Sequence, residues 1–468
     1  MAEQAPSIFN DVIGPVMRGP SSSHVAGGAR IAELVRQAAG GDPRKVTVTF
    51  DPNGSLAESH DGHGTDMGFA CGIMGLPITD PRVDRWQELI AESGIELEYL
   101  IGSYGAVHPN QYRIDVVTGS GSRLLIDAIS TGGGMVELIS INGRNVCVRG
   151  DREETVEFPE TGERYHFRPV LPTLTGEETV VPFTTAEGMA QYNRGRGLAL
   201  WELALEYESA RGGTDTGAVW RTMEEICKVM EGSLRAGLAG THYEKRVLPA
   251  QSHLIDENRS RLVPDDLTNT MIKYVSAIME NKSAMGVFTA APTAGSAGCL
   301  PGTVLALRDV LGLPDDAAVK GLLAAGLIGV FFAEQATFAA EVGGCQVECG
   351  AGSGMAAAAV CQMMGGTAQE CCDAASFALQ AVTGLACDPV ANRVEVPCLN
   401  KNILGAMNAV SSANAILAGY DKVIPLDETI QALYDIGTRL PLELRCTYGG
   451  LGKTATSDRI RKKLDDLE

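Results

Sequence analysis

The chain has 468 residues with 58 acidic against 38 basic side chains, a net charge of −20 at pH 7. That balance argues against nucleic acid as a partner and gives no sign of attraction to an anionic membrane surface. No apolar run reads as a membrane span, and the N-terminus lacks the basic and apolar regions of a secretion signal, so the twelve cysteines are expected in a reducing cytoplasm with their thiols free.

In chain order, the first part alternates helix-like and strand-like segments. The stretch from His24 to Ala38 follows a polar, serine-containing loop and reads as a helix. Lys45 to Phe50 alternates apolar and polar residues with period two and reads as a strand. Gly64 to Met74 reads as a second helix, and Ile95 to Ile101 and Arg113 to Val117 as further strands. His108-Pro-Asn110 and Ser130-Thr131-Gly132-Gly133-Gly134 read as turns. This is an α+β pattern. Residues 146–180 carry a charged run, several prolines and Thr-Gly turns, and read as an irregular or β-hairpin connector.

From about residue 184 the apolar spacing becomes helical: Ala186 to Tyr207, Ala218 to Ala239, Leu267 to Glu280, Ala317 to Ala340 and Gly354 to Met364. The last two are apolar nearly all round, which places them at the centre of a helical domain. The expected architecture is therefore multidomain. An α+β domain (1–150) is followed by a connector (151–183) and a mostly α-helical domain (184–468).

Four segments carry chemistry. Cys345, Cys387 and Cys398 sit in Gly-Gly-Cys-Gln, Leu-Ala-Cys-Asp-Pro and Val-Pro-Cys-Leu-Asn-Lys-Asn. Three thiolates can hold a cubane iron–sulfur cluster and leave one iron without a protein ligand, and such an iron is a Lewis acid. The spacing fits neither a ferredoxin nor a Cys-x2-Cys zinc site. The plainer alternative, a set of small buried hydrophobes, applies to most of the other cysteines. Arg18-Gly-Pro-Ser21-Ser22-Ser23-His24 places hydroxyls and amides at a helix start, where a carboxylate can bind. Gly62-His63-Gly64-Thr65-Asp66 offers an accessible imidazole able to move a proton; a simple turn histidine is the alternative. Ala291-Pro292-Thr293-Ala294-Gly295-Ser296-Ala297-Gly298 lets a ligand or a helix approach the backbone closely. It is neither a Walker loop nor a dinucleotide fingerprint.

Together these motifs resemble the iron–sulfur-dependent L-serine dehydratase family in a fused β–α form. The N-terminal half matches through GPSSSH (19–24), GHGTD (62–66) and HPN (108–110). The C-terminal half matches through APTAGSAG (291–298), GGCQVECG (343–350), LACDPV (385–390), VPCLNKN (396–402) and GGL (449–451). The resemblance implies a [4Fe–4S] cluster on Cys345, Cys387 and Cys398. It implies substrate contacts from Ser21, Ser22, Ser23, Thr65 and Asp66, with His63 or His24 as the base. Asn400, Lys401 and Asn402, which follow a cluster cysteine, are candidates for substrate contact or for a structural role. The expected reaction converts L-serine to pyruvate and ammonia. L-Cysteine desulfidation and L-threonine dehydration on the same scaffold are the alternatives. A small amino acid is the expected partner, and a homodimer the expected assembly. Some single-chain members end in a cysteine that can cap the open iron. Here the last cysteine, Cys446, precedes the GGL segment, and no regulatory ACT pattern is present.

Overall fold

The computed structural model describes residues 5–14, 16–19, 22–61, 63–132, 134–171, 180–446 and 449–466. It divides into two compact units, residues 17–176 and residues 1–16 with 177–468.

The first unit is a six-stranded sheet with helices on one face. The strand order is Glu96–Ile101, Pro43–Phe50, Gln111–Thr118, Arg123–Gly132, Met135–Ile141, Arg144–Val148. The first two strands pair parallel and the rest antiparallel. Period-two alternation explains the layering: Val46, Val48 and Phe50 turn inward with Ile114, Val116 and Ile126, all fully buried. On the other face Arg113 pairs with Asp127 at 2.8 Å and Arg123 with Asp115 at 2.5 Å. Residues 123–148, read from the sequence only as a turn at 130–134 and, from 146, as the start of the connector, supply three of the six strands.

Helices Ser22–Ala38 and Thr65–Met74 pack with their backbones in contact. A Cβ on Gly68 would lie 2.1 Å from the Val25 carbonyl oxygen, and one on Gly72 would lie 2.1 Å from that of Ala29. Only glycine permits this approach.

The expected connector is in part a hairpin, Glu154–Phe158 with Glu163–Phe167. Phe158, Tyr165 and Phe167 pack into the core of the sheet unit, so residues 151–171 fold with the sheet. The boundary differs at the N-terminus too. The turn Ile8–Val12 belongs to the helical unit, with Ile8 and Val12 seated where Gly326 and Gly329 leave room on helix Asp315–Gln335. The buried carboxylate of Glu208 fastens it, accepting from Ser7 Oγ at 2.6 Å and from the Ile8 amide at 2.8 Å.

The helical unit is built around Asp315–Gln335, Cys349–Met363 and Cys398–Leu417. Asp315–Gln335 is long and apolar enough to cross a membrane by length and composition, which the sequence reading overlooked; 78% of its most apolar stretch is buried inside the unit. The helix expected over Ala186–Tyr207 is two helices, Ala186–Tyr192 and Leu200–Gly212. Gly195 and Gly197 take positive φ between them, and the Asn193 side chain bonds both the amide and the carbonyl of Leu198.

The close packing of the two helices in the sheet unit predicts that Gly72→Ala lowers the stability of that unit by about 1–3 kcal/mol, the usual range for overpacking. Chemical denaturation monitored on the full chain checks this, and an unchanged midpoint contradicts it.

Candidate metal centre

Two segments of the helical unit bring Cys345 and Cys387 together, and a third carries the buried thiol of Cys398, which lies outside that close group. Cys345 follows Gly344, whose φ is +72°, and opens a short turn, Cys345–Val347. Gln346 locks that turn. Its amide donates to Leu385 O at 3.1 Å, its Nε2 donates to Leu433 O at 2.8 Å, and its Oε1 accepts from Gly384 N at 2.7 Å. The Cys345 turn is thereby fixed against the approach to Cys387. Cys387 itself bridges the chain ahead of the GGL segment: its amide donates to Leu444 O at 2.8 Å, and the Cys446 amide donates to Cys387 O at 2.9 Å. Cys398 is the first residue of helix Cys398–Leu417.

Lys401 and Asp388 join the last two segments. Lys401 Nζ donates to Ala386 O at 2.5 Å and to Asp388 Oδ1 at 2.9 Å, and Asp388 Oδ2 accepts from the Leu451 amide at 3.1 Å.

The result is a buried group of donors. Ligand atoms of Cys345, Glu348 and Cys387 all lie within 4.8 Å of one another and could hold a metal ion. Cys387 Sγ is 4.0 Å from Glu348 Oε1, and Cys345 Sγ is 3.5 Å from Cys349 Sγ. Thr293, in the small-residue segment, donates from Oγ1 to Glu348 Oε2 at 2.6 Å. Cys345, Cys349, Cys387 and Cys398 are 1–6% exposed.

Electrostatics follow from crowding and burial. Hydrogen bonds from Cys349 and then Cys387 pull the Cys345 thiol well below the ordinary thiol range, with help from the Lys401 charge. Cys398 is pushed up by burial and by the negative Cys345. Burial, then Cys345, raises the Glu348 carboxyl well above the carboxylate range. Burial draws Lys401 down, but Cys345 and Asp388 outweigh it and the net direction is upward. Lys282, 1% exposed, is lowered by burial and donates to Val394 O; Cys398 and Glu395 are the nearest opposing influences.

These sequences have known relatives. Residues 195–451 match the family described as "Serine dehydratase alpha chain". The chain belongs to that family. It is 37% identical over 249 residues to the probable L-serine dehydratase alpha chain of Bacillus subtilis (strain 168), covering 53% of this chain and 83% of that one. The L-serine dehydratase alpha chain of Peptoniphilus asaccharolyticus is 33% identical over 271 residues, 57% of this chain and 93% of the relative. The L-serine dehydratase of Streptomyces coelicolor (strain ATCC BAA-471 / A3(2) / M145) is 27% identical over 464 residues, 92% of this chain and 95% of the relative. This member of the serine dehydratase alpha-chain family is thus a single fused chain, as that relative is, and its membership supports an enzymatic lyase function.

The remaining expected residues fall as follows. Ser21 lies outside the described residues. Ser22 and Ser23 open helix Ser22–Ala38, and their side chains lie outside what is described. In the sheet unit the His24 and His63 rings meet edge to face, centroids 4.8 Å apart and planes at 74°. The packing of Gly68 and Gly72 holds them there, because His24 is near the start of one helix and His63 just precedes the other. Thr65 and Asp66 open that second helix and are 0% and 6% exposed. Both Asp66 carboxylate oxygens lie 2.8 Å from His60 Nδ1. This clasp raises His60, while burial of Asp66 outweighs His60 and raises Asp66. The carboxylate expected to bind substrate is therefore engaged by a histidine that the sequence analysis did not single out. Asn400 is exposed, whereas Asn402 is fully buried.

Glu348, Cys349 and Lys282 were also missed. Glu348 had a legible signal: it stands three residues after Cys345, a spacing that returns a side chain to the same side of a helical turn.

Burial, then the neighbouring His63, lowers His24 from 6.5 to about 4. Its folded value lies below its unfolded one. The stability it contributes is present above about pH 6.5 and is lost as the pH falls through about 4. An NMR titration of the His24 ring is expected to show a neutral imidazole across roughly pH 5 to 8; a midpoint near 6.5 contradicts this.

Proposed function

We propose that this protein is an iron–sulfur-dependent L-serine dehydratase, a lyase that forms pyruvate and ammonia from L-serine through 2-aminoacrylate. The observation that supports this reading best is the buried convergence of Cys345, Cys387 and Glu348 within 4.8 Å, in a member of the serine dehydratase alpha-chain family.

The donor set suits a [4Fe–4S] cluster held by Cys345, Cys387 and Cys398. It is rich in thiols and sheltered from water, one thiol is already drawn toward thiolate, and a cation, Lys401, faces the sulfurs. The paired Cys-x2-Cys of a structural zinc site is absent from the sequence. When bound, such a cluster with one iron free of protein ligands supplies a Lewis acid that helps the β-hydroxyl of serine leave.

The chain's own residues do the rest of the work in this proposal. His63, with His24 against it, accepts the α-proton. The fold keeps His24 neutral, so that the pair can take up a proton and not only release one. Ser21, Ser22 and Ser23, with the amides of the helix start, hold the substrate carboxylate, and Thr65, at the start of the second helix, belongs to the same proposal. Asp66, clasped by His60, shapes the loop that carries His63. Lys401 aligns the Cys387 and Cys398 segments through Asp388. Assembly as a homodimer belongs to the same proposal, and light scattering tests it.

The experiment is pyruvate release by anaerobically purified, iron- and sulfide-reconstituted protein. L-Threonine and L-cysteine are assayed beside L-serine. The expected outcome is prompt turnover of L-serine that disappears in air. A brown, cluster-loaded protein that ignores L-serine but consumes one of the others overturns the substrate assignment. Ser substitutions at Cys345, Cys387 and Cys398 are each expected to abolish the cluster absorbance. His63→Ala is expected to lower turnover by about 10²–10⁴-fold, the span of a lost general base, with the absorbance intact. Loss of the absorbance in His63→Ala overturns its proton-transfer role.

A further inference from the structure

One buried amide ties together the segments that carry the thiols. Asn402 is 0% exposed and lies one turn along the helix that Cys398 begins. Its Oδ1 accepts from the amides of Gly298 at 3.0 Å and Cys299 at 2.8 Å. Those are the first amides of helix Cys299–Leu311, whose own N-cap residue is a glycine with no side chain to offer. Its Nδ2 donates to Gly295 O at 2.7 Å and to Cys398 O at 2.7 Å, and lies 3.7 Å from Cys349 Sγ. Cys349 Sγ reaches Gly295 O at 3.4 Å and sits 3.5 Å from Cys345 Sγ.

The two ends of this side chain thus do different things. The oxygen caps a neighbouring helix. The nitrogen faces the Cys398 backbone, the Gly295 turn and the thiol beside Cys345. Thiols far apart in sequence need their spacing fixed by partners of this kind, since a cluster or a metal tolerates little error in ligand position. We propose that Asn402 is the positioning residue of the cluster site, setting the Cys398 and Cys345 sulfurs through its Nδ2 hydrogens and not by touching substrate. This rests on the reading of these thiols as cluster ligands.

The two ends can be separated. Asn402→Asp is nearly isosteric and keeps an oxygen for the Gly298 and Cys299 amides, but it removes the amide donor that faces the carbonyls and the sulfur. Asn408→Ala is the control. That residue lies farther along the same helix and donates to Ser353 Oγ and Ala378 O, each at 2.9 Å. The full chain is reconstituted anaerobically. Iron and sulfide content, the EPR signal of the reduced cluster and the rate at which visible absorbance fades in air are measured, together with the melting temperature of the metal-free protein.

The expected result for Asn402→Asp is lower melting, because two carbonyls lose their donor and face a carboxylate, together with an altered EPR signal and about tenfold faster fading, the size of effect usual for lost outer partners of a metal site; the spectrum and lifetime set it apart from a merely structural loss. Asn408→Ala is expected to melt lower with a wild-type spectrum and lifetime. If the Asp variant does not fold, Asn402→Ser, which offers one donor in place of two, is expected to show the same altered signal and faster fading. Wild-type EPR and lifetime in the folded Asn402 variant overturn the proposal. A wild-type protein that assembles no cluster overturns the functional reading itself, an outcome visible before any variant is made.

Discussion

Keeping ionisable groups out of water at one point is the constraint on which the helical unit depends. Cys345, Cys349, Cys387, Cys398 and Lys282 are all nearly inaccessible, and the Glu348 carboxyl sits among the sulfurs. Buried charges are unfavourable by several kcal/mol each unless paired, so the metal-free site holds as few as it can. Cys345 is drawn toward thiolate, Cys398 and Glu348 are pushed toward their neutral forms, and Lys401 is held as a cation between Asp388 and the sulfurs. Any cation entering this group displaces protons from it, which makes affinity for metal pH-dependent. A site of this kind has to be rigid, because every relaxed contact would let water in and undo the balance.

Rigidity comes from residues around the thiols. Gln346 pins the Cys345 turn by three hydrogen bonds. Asp388 binds Lys401 with one oxygen and the Leu451 amide with the other. The GGL segment fits that arrangement and little else. Gly450 has φ +47°, and a Cβ there would lie 2.6 Å from Asp388 Oδ2, so a side chain would be strained and would push Asp388 off its partners. Each cysteine motif is therefore mostly scaffold: one thiol, and several residues that hold it still.

This explains what could be read from sequence. Period-two alternation marked Lys45 to Phe50, and unbroken apolar composition marked the helix now seen at Asp315–Gln335, because those signals are local. Motif clustering marked Cys345, Cys387 and Cys398. The division of the chain was less legible. Nothing in residues 5–14 announces that they complete the helical core, since the partner carboxylate, Glu208, comes nearly two hundred residues later. The break at Asn193–Leu198 did have a cue, the run Asn-Arg-Gly-Arg-Gly over 193–197, which interrupts the apolar spacing with two glycines. The His60–Asp66 clasp spans a loop, where no periodicity applies, and Asn402 looked like its exposed neighbour Asn400 although the helix turns one inward and the other out.

His24, His60 and His63, three of the five histidines of the sheet unit, show how environment separates residues that a sequence presents as equals. His60 faces a carboxylate and is raised; His24, set against the His63 ring, is lowered by burial and by that ring to about 4. Two imidazoles with centroids 4.8 Å apart resist being charged together. Burial also disfavours a proton on the His24 ring. His60, bound through Nδ1 to Asp66, holds the other end of the loop. The arrangement depends on backbone contact between two helices at Gly68 and Gly72, so the meeting of the two rings begins with two residues that have no side chain at all.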